Sequence, residues 1–114
     1  MPVNLLQAAK DAASALDQKF GKDIVLLDIS TISTIADYFI ITEASNPNQI
    51  LAMTGGVEEV MDKHGVAIRH IEGMQRPDWV LMDYGDIVVH IFNGESRAFY
   101  DLERTWRDAT EIAI

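Results

Sequence analysis

A chain of 114 residues is long enough for one hydrophobic core and too short for two, so a single domain over residues 1–114 is expected. The composition is that of an ordinary globular protein, 48% hydrophobic and 24% charged, and the lack of cysteine excludes disulfides, thiolate metal sites and cysteine nucleophiles together. A formal charge of −9 opposes any general affinity for nucleic acid, whose phosphates would be repelled, and favours water or a basic partner.

The opening MPVNLLQAAKDAAS carries a charge too early, and apolar runs too short, for a signal peptide or a membrane span. A cytoplasmic protein with no membrane contact is the expectation. Residues 4–20 read as a first helix: Asn4 can cap it, Leu5, Ala8, Ala9, Ala12, Leu16 and Phe20 keep to one stripe, and Gly21 supplies the stop. Asp23 to Ile29 (DIVLLDI) has the length and apolar run of a central strand, Ser30 to Thr34 a turn, and Ala36 to Glu43 (ADYFIITE) a second strand.

Asn46 followed by Pro47 is a strong helix start, and the second helix extends to about His64 before Gly65. Gly55 and Gly56 in its middle cost about 1–2 kcal/mol of helix propensity. Val66 to Ile71 reads as a third strand and Glu72 to Asp78 as a loop without hydrophobic period. From Glu95 a last helical pattern places Phe99, Leu102 and Trp106 on one face, and the tail from Asp108 is expected to be loose. The order α-β-β-α-β-β-β-α predicts an α/β fold with a single mixed sheet of about five strands and flanking helices.

Between the loop and the last helix lies WVLMDYGDIVVHIF, Trp79 to Phe92. Two strand-length apolar runs flank Gly85-Asp86, which suits a two-residue II′ turn. That loop length sets Tyr84 opposite Ile87 and Trp79 opposite Phe92. Alternation then places Val80, Met82, Tyr84, Ile87, Val89 and Ile91 on one apolar face, fit for a covering helix. The other face carries Trp79, Leu81, Asp83, Val88, His90 and Phe92. A carboxylate and an imidazole among large rings suit a binding surface better than a core, although Trp79 alone would serve in either. From Glu72 to Glu103 there are seven acids against two arginines, interleaved with Trp79, Tyr84, Phe92 and Tyr100, a pattern that fits a basic protein partner with an apolar anchor.

The residues of an enzyme are harder to assemble. Asp28, Asp37 and Asp83 are candidate carboxylates for a metal-dependent nucleotidyl transfer, but no D-x-D pair stands next to a Gly-Ser turn. His64, His70 and His90 have no metal-ligand spacing, no phosphate-binding loop is present, and Ser30, Ser33, Ser45 and Ser96 lack a nucleophile-elbow context. Neither catalysis nor a cofactor is expected.

DIVLLDI, ADYFIIT, the helix start at Asn46, the Ile71-Glu72-Gly73 loop, W-x-L-x-D-Y-G-D-x-V-V-H-x-F and R-x-F-Y-D-L-E-R-x-W together resemble the ribosomal silencing factor family, RsfS/Iojap, in order from about Asp23 to Trp106. The resemblance implies a small non-catalytic protein whose fold is similar to that of nucleotidyltransferases without their active site. It implies binding to the large ribosomal subunit through ribosomal protein L-fourteen, a block to small-subunit joining when nutrients are short, and a homodimer when free. An assembly role at the same surface is the alternative. The contact residues it implies are Trp79 and Tyr84, with Asp83, His90 and Phe92 beside them and Glu72, Arg97 and Tyr100 at the edges. Alternation turns Tyr84 toward the helix side, so for that residue the two readings diverge. Several members have a Ser-Gly-x-Ser turn after the second strand where this chain has Glu43-Ala44-Ser45-Asn46, and no contact is carried over to that loop.

Overall fold

The computed structural model describes residues 4–75 and 78–114; Arg76 and Pro77 of the expected loop lie outside the described residues. The elements in chain order are α1 (Leu5–Gln18), β1 (Lys22–Asp28), β2 (Tyr38–Ala44), α2 (Pro47–Lys63), β3 (His70–Glu72), β4 (Trp79–Asp83), β5 (Ile87–Asn93), α3 (Gly94–Tyr100), α4 (Leu102–Thr105) and β6 (Thr110–Ile112). The strands form one mixed sheet in the order β3-β4-β5-β2-β1-β6. Only β2 and β5 run parallel, joined by a crossover that includes α2, and the other neighbours are antiparallel.

The α/β mixed sheet is as the pattern predicts, but it has six strands rather than five. The tail expected to be loose supplies the sixth: Thr110, Glu111 and Ile112 pair with Asp28, Leu27 and Leu26. Three residues are too few for a periodic signal, and their pairing is decided by the free edge that β1 would otherwise leave exposed. The third strand is shorter than its hydrophobic run and begins at His70, with all three of its residues exposed at the sheet edge.

α1 and α2 pack on one face of the sheet. The Asn4 side chain accepts from the Gln7 N–H, and the alanines at 8, 9, 12 and 13 are buried, so the helix backbone comes close to the strands beneath it. At its far end the expected stop moves by one residue. Phe20, not Gly21, takes the left-handed conformation (φ 65°), closing a pair of bonds from the Phe20 N–H to the Asp17 carbonyl and from the Gly21 N–H to the Leu16 carbonyl. Glycine is needed at 21 for space, because a Cβ there would meet Thr42 Oγ1 at 2.9 Å and the Leu16 carbonyl at 3.0 Å. The Asn46 side chain caps α2 by accepting from the Gln49 N–H, as its sequence context predicts. His64 at the other end of α2 lies 2.7 Å from Asp11 of α1, and this hydrogen bond holds the Asp11 carboxyl below its usual range.

Under the two helices, Leu26, Ile40, Val80, Met82, Tyr84, Ile87, Val89 and Ile91 form the main core with Leu16, Ile50, Met53, Val57 and Met61. Each large apolar side chain fully buried there contributes about 1.5–3 kcal/mol. A second, smaller cluster lies on the opposite face, where Leu27, Ile29, Phe39, Ile41 and Phe92 are covered by Leu102, Trp106 and Ala109 of the C-terminal segment.

The two helix glycines differ. Gly56 lies beside Lys19 and Ala15 of α1 at ordinary contact distance, whereas a Cβ on Gly55 would meet nothing within 4 Å. Gly55→Ala is therefore expected to stabilise the fold by about 1 kcal/mol, read as a higher midpoint in urea unfolding with an unchanged slope.

Candidate functional site

The hairpin of β4 and β5 is built in the register its sequence dictates: Trp79 opposite Phe92, Val80 opposite Ile91, Leu81 opposite His90, Met82 opposite Val89 and Asp83 opposite Val88. Gly85 has a positive φ (88°) and Asp86 does not, as a II′ turn requires, and the Tyr84 N–H donates to the Ile87 carbonyl at 2.9 Å. An Asp83 oxygen accepts the Gly85 N–H at 2.7 Å and tightens the turn from outside.

On the face away from α1 and α2 the strand registers place His70 and Glu72 of β3, Trp79, Leu81 and Asp83 of β4, Val88, His90 and Phe92 of β5, and Phe39 and Ile41 of β2 side by side. The C-terminal segment covers the β2 half, with Trp106 edge-on to Phe39 at 5.2 Å. The β3–β4 half stays open. Glu72 and His70 are exposed, and Trp79, Leu81 and Asp83 are half-buried.

Trp79 stands at the boundary of these halves and is held on three sides. Its ring stacks on Phe92 at 5.1 Å and lies 4.6 Å from Tyr100. Its Nε1–H donates to His90 Nδ1 at 3.1 Å. Accepting that hydrogen bond leaves Nδ1 unprotonated, so His90 is neutral with its own N–H on Nε2, a buried atom without a hydrogen-bond partner among the described residues. Burial pushes the His90 pKa down to about 4.

The loop before β4 is drawn in by Gly73, whose φ is 90° and where a Cβ would collide with the Trp79 carbonyl. Asn93 ties the same region together. Its N–H and its side-chain NH₂ donate to the backbone and side chain of Asp78 at 3.0 and 2.8 Å, while its side-chain oxygen caps α3 at the Ser96 N–H.

The expected contact residues thus divide. Trp79, Asp83, Glu72 and Tyr100 have their side chains on or beside the open half of the face. His90 and Phe92 are buried directly beneath Trp79 and support it. Tyr84 lies in the main core on the opposite face, as alternation predicts, and burial raises its pKa to about 12. Arg97 is buried rather than solvated: it is ion-paired with Glu43 at 3.4 Å and Glu103 at 3.1 Å, and it donates to the Lys22 carbonyl. This network fastens α3 to the ends of β1 and β2 and so fixes the position of Tyr100. Partial burial of these paired charges makes each geometry-dependent, so removing one partner would leave the others uncompensated.

The sequence pattern sets Phe99 on one face with Leu102 and Trp106, but the structure separates them: Leu102 and Trp106 are partly buried, whereas Phe99 is 82% exposed, beside a Tyr100 that is 46% exposed. The stripe fails because Asp101 takes a left-handed conformation (φ 47°), ending α3 and re-aiming α4. No helical period signals that break. Asp28 and Asp83, two of the candidate catalytic carboxylates, hold turns: Asp28 accepts from the Ser30 N–H and hydroxyl at 3.0 and 2.6 Å. Among the described residues no three His, Cys, Asp or Glu side chains gather into a metal site, and no helix is long and apolar enough to cross a membrane.

Comparison with known proteins settles the family. The family model for ribosomal silencing factor during starvation, RsfS, matches residues 2–114. The chain belongs to the RsfS family. It is 38% identical over 107 residues to ribosomal silencing factor RsfS of Bacillus subtilis, covering 94% of this chain and 91% of that protein. A crystal structure of a Chromobacterium violaceum protein superposes with a TM-score of 0.85 at 33% identity, over 93% of this chain and 87% of that one. The mouse protein called mitochondrial assembly of ribosomal large subunit protein 1 is 30% identical over 97 residues, which are 82% of this chain and 42% of that protein. The RsfS match therefore spans the hairpin, the aromatic cluster and the C-terminal segment that covers half of the sheet.

Neutral His90 generates a testable pH dependence. The unfolded chain binds a proton at this residue near pH 6.5 and the folded one only near pH 4, so stability is full above pH 6.5 and declines as pH falls through that window. The contribution lost is about 3 kcal/mol. His90→Asn keeps an acceptor for Trp79 and is expected to flatten the dependence of the melting temperature on pH between 6.5 and 4.

Proposed function

We propose that this RsfS-family protein is a translational repressor that binds the large ribosomal subunit through ribosomal protein L-fourteen and stands where the small subunit would dock. The observation that carries this reading is the open half of the sheet face. Trp79, Phe99 and Tyr100 form an aromatic patch held from below by His90 and Phe92, with Glu72 and Asp83 on its flank. A pre-organised aromatic anchor on a face that also carries Glu72 and Asp83 suits a basic protein surface. The charges speed encounter and orient it, and desolvation of the rings supplies most of the affinity. The mechanism needs no chemistry at the site. A bound domain whose principal-axis extents are 37 × 30 × 24 Å excludes a second large particle from the same surface.

In the same reading the protein acts in the cytoplasm, and the free form is a homodimer. A role in assembly of the large subunit is the second reading, favoured by the name of the mouse relative. It uses the same surface on an immature particle.

Trp79→Ala is expected to weaken co-sedimentation with purified large subunits at least about thirtyfold, the equivalent of about 2 kcal/mol for a central anchor. Phe99→Ala provides the control for folding, since its ring lies in solvent and its removal leaves the core intact; it is expected to weaken binding with an unchanged melting temperature. Normal binding by both variants would remove the aromatic patch from the interface.

A further inference from the structure

We propose that Asn93 and Gly94, at the junction of β5 and α3, form a site of spontaneous deamidation, and that conversion at Asn93 unties the loop before Trp79 from the helix that carries Tyr100. The modification stands apart from the large-subunit reading above; its effect on ribosome binding rests on that reading.

Closure of an asparagine side chain onto the next backbone nitrogen is least hindered when the next residue is glycine, which has no Cβ beside the attacking atom. The chain has asparagine at 4, 46, 48 and 93, followed by Leu5, Pro47, Gln49 and Gly94. Proline has no N–H to lose, and leucine and glutamine crowd the attack, so Asn93 is the favoured position. Gly94 is not among the glycines at positive φ. Its role is spatial: a Cβ there would meet Glu43 Oε2 at 2.8 Å, and Glu43 is held by Arg97. The ion pair that anchors α3 therefore favours glycine at the one place where it leaves an amide open to attack.

The step balances with water alone. The Gly94 nitrogen attacks Asn93 Cγ, the new C–N bond closes a cyclic imide, the nitrogen gives its proton to water, and the Cγ–Nδ2 bond breaks to release ammonia. Water then opens either carbonyl of the imide, giving aspartate or isoaspartate. The Ser96 N–H donates to Asn93 Oδ1 at 2.8 Å and draws electron density from the carbon under attack. Gly94 is the first residue of α3, where a backbone N–H has no acceptor within the helix. The restraint on the reaction is the cap itself. With ψ at 161° and both ends of its amide bonded, Asn93 reaches attack geometry only when the start of α3 opens.

The product changes the contact that Asn93 makes. Its Nδ2 donates to Asp78 Oδ1 at 2.8 Å, Asp78 directly precedes Trp79, and Asn93 directly follows the Phe92 on which Trp79 stacks. Conversion sets a carboxylate against the Asp78 carboxylate, so a hydrogen bond becomes a like-charge contact. Isoaspartate also adds a methylene to the main chain where α3 is capped. Either product removes the side-chain tie that fixes the base of Trp79 relative to Tyr100.

Ageing the folded chain at neutral pH, with peptide mass spectrometry, tests the site. A gain of about 1 Da, as aspartate and isoaspartate, is expected at Asn93 alone. Its rate is expected to be at least about tenfold below that of the chain unfolded in urea. No conversion in the folded chain once the unfolded chain has converted would overturn the proposal, as would equal conversion at Asn4 or Asn48. Asn93→Asp, which keeps the cap, is expected to melt about 4 °C lower than the parent. Adding Asp78→Asn restores a donor opposite the new carboxylate and is expected to recover the parental melting temperature. An unchanged melting temperature for Asn93→Asp would overturn the untying. Aged parent is expected to lose affinity for purified large subunits while aged Asn93→Ser, which has no amide, keeps the affinity of its fresh sample; equal affinity of fresh and aged parent would overturn the effect on binding. Failure of the fresh parent to bind would instead remove the ribosome reading, with the conversion and the melting shifts unaffected.

Discussion

The bond from the Tyr84 N–H to the Ile87 carbonyl closes a two-residue turn, and the arrangement of the site follows from it. Because side chains alternate along a strand, a slip of one residue would exchange the two faces of the hairpin, putting Trp79 and His90 under the helices and Val80 and Met82 in solvent. Gly85 permits the turn and Asp83 tightens it. The parallel pairing of β5 with β2 carries the same register across the middle of the sheet, so that Phe39 and Ile41 fall beside Val88 and His90. Apolar burial beneath α1 and α2 then enforces the choice energetically.

The second constraint is that the C-terminal segment covers only half of the other face. Arg97 with its two carboxylates anchors α3 and α4 over β1 and β2, and Trp106 seals Phe39. Among the described residues nothing covers the β3–β4 half. Trp79 sits on the dividing line with its indole N–H committed to His90, so its orientation is set before any partner arrives. Pre-organisation of this kind reduces the side-chain ordering that binding must otherwise impose. His90 accordingly works from within the fold. Its neutral form is the acceptor that Trp79 needs, and burial maintains that form at neutral pH.

Much of this was legible in the chain. The hairpin register, the two-face division, the asparagine caps at Asn4 and Asn46, and the family were read from turn chemistry, period and motif. What escaped has identifiable causes. β6 is three residues long and owes its pairing to an available edge. The end of α3 at Asp101 depends on a left-handed residue that is not glycine, so the stripe of Phe99, Leu102 and Trp106 looks continuous in the sequence. Arg97 resembles any exposed helix arginine until Glu43, more than fifty residues earlier, is brought beside it by the sheet. Phe20 looked like the last residue of an apolar stripe because Gly21 seemed the natural stop. Each of these errors involves a long-range contact or a positive φ outside glycine, which local periodicity does not encode.

The central claim is that the aromatic patch on the open half of the sheet occupies the surface that the small subunit needs. Reassociation of purified large and small subunits on a sucrose gradient, with increasing amounts of the protein added, addresses it most directly. The account predicts recovery of the protein with free large subunits and a matching loss of joined ribosomes. Undiminished joining in the presence of large subunits that carry the protein would contradict it, and would favour a role in assembly.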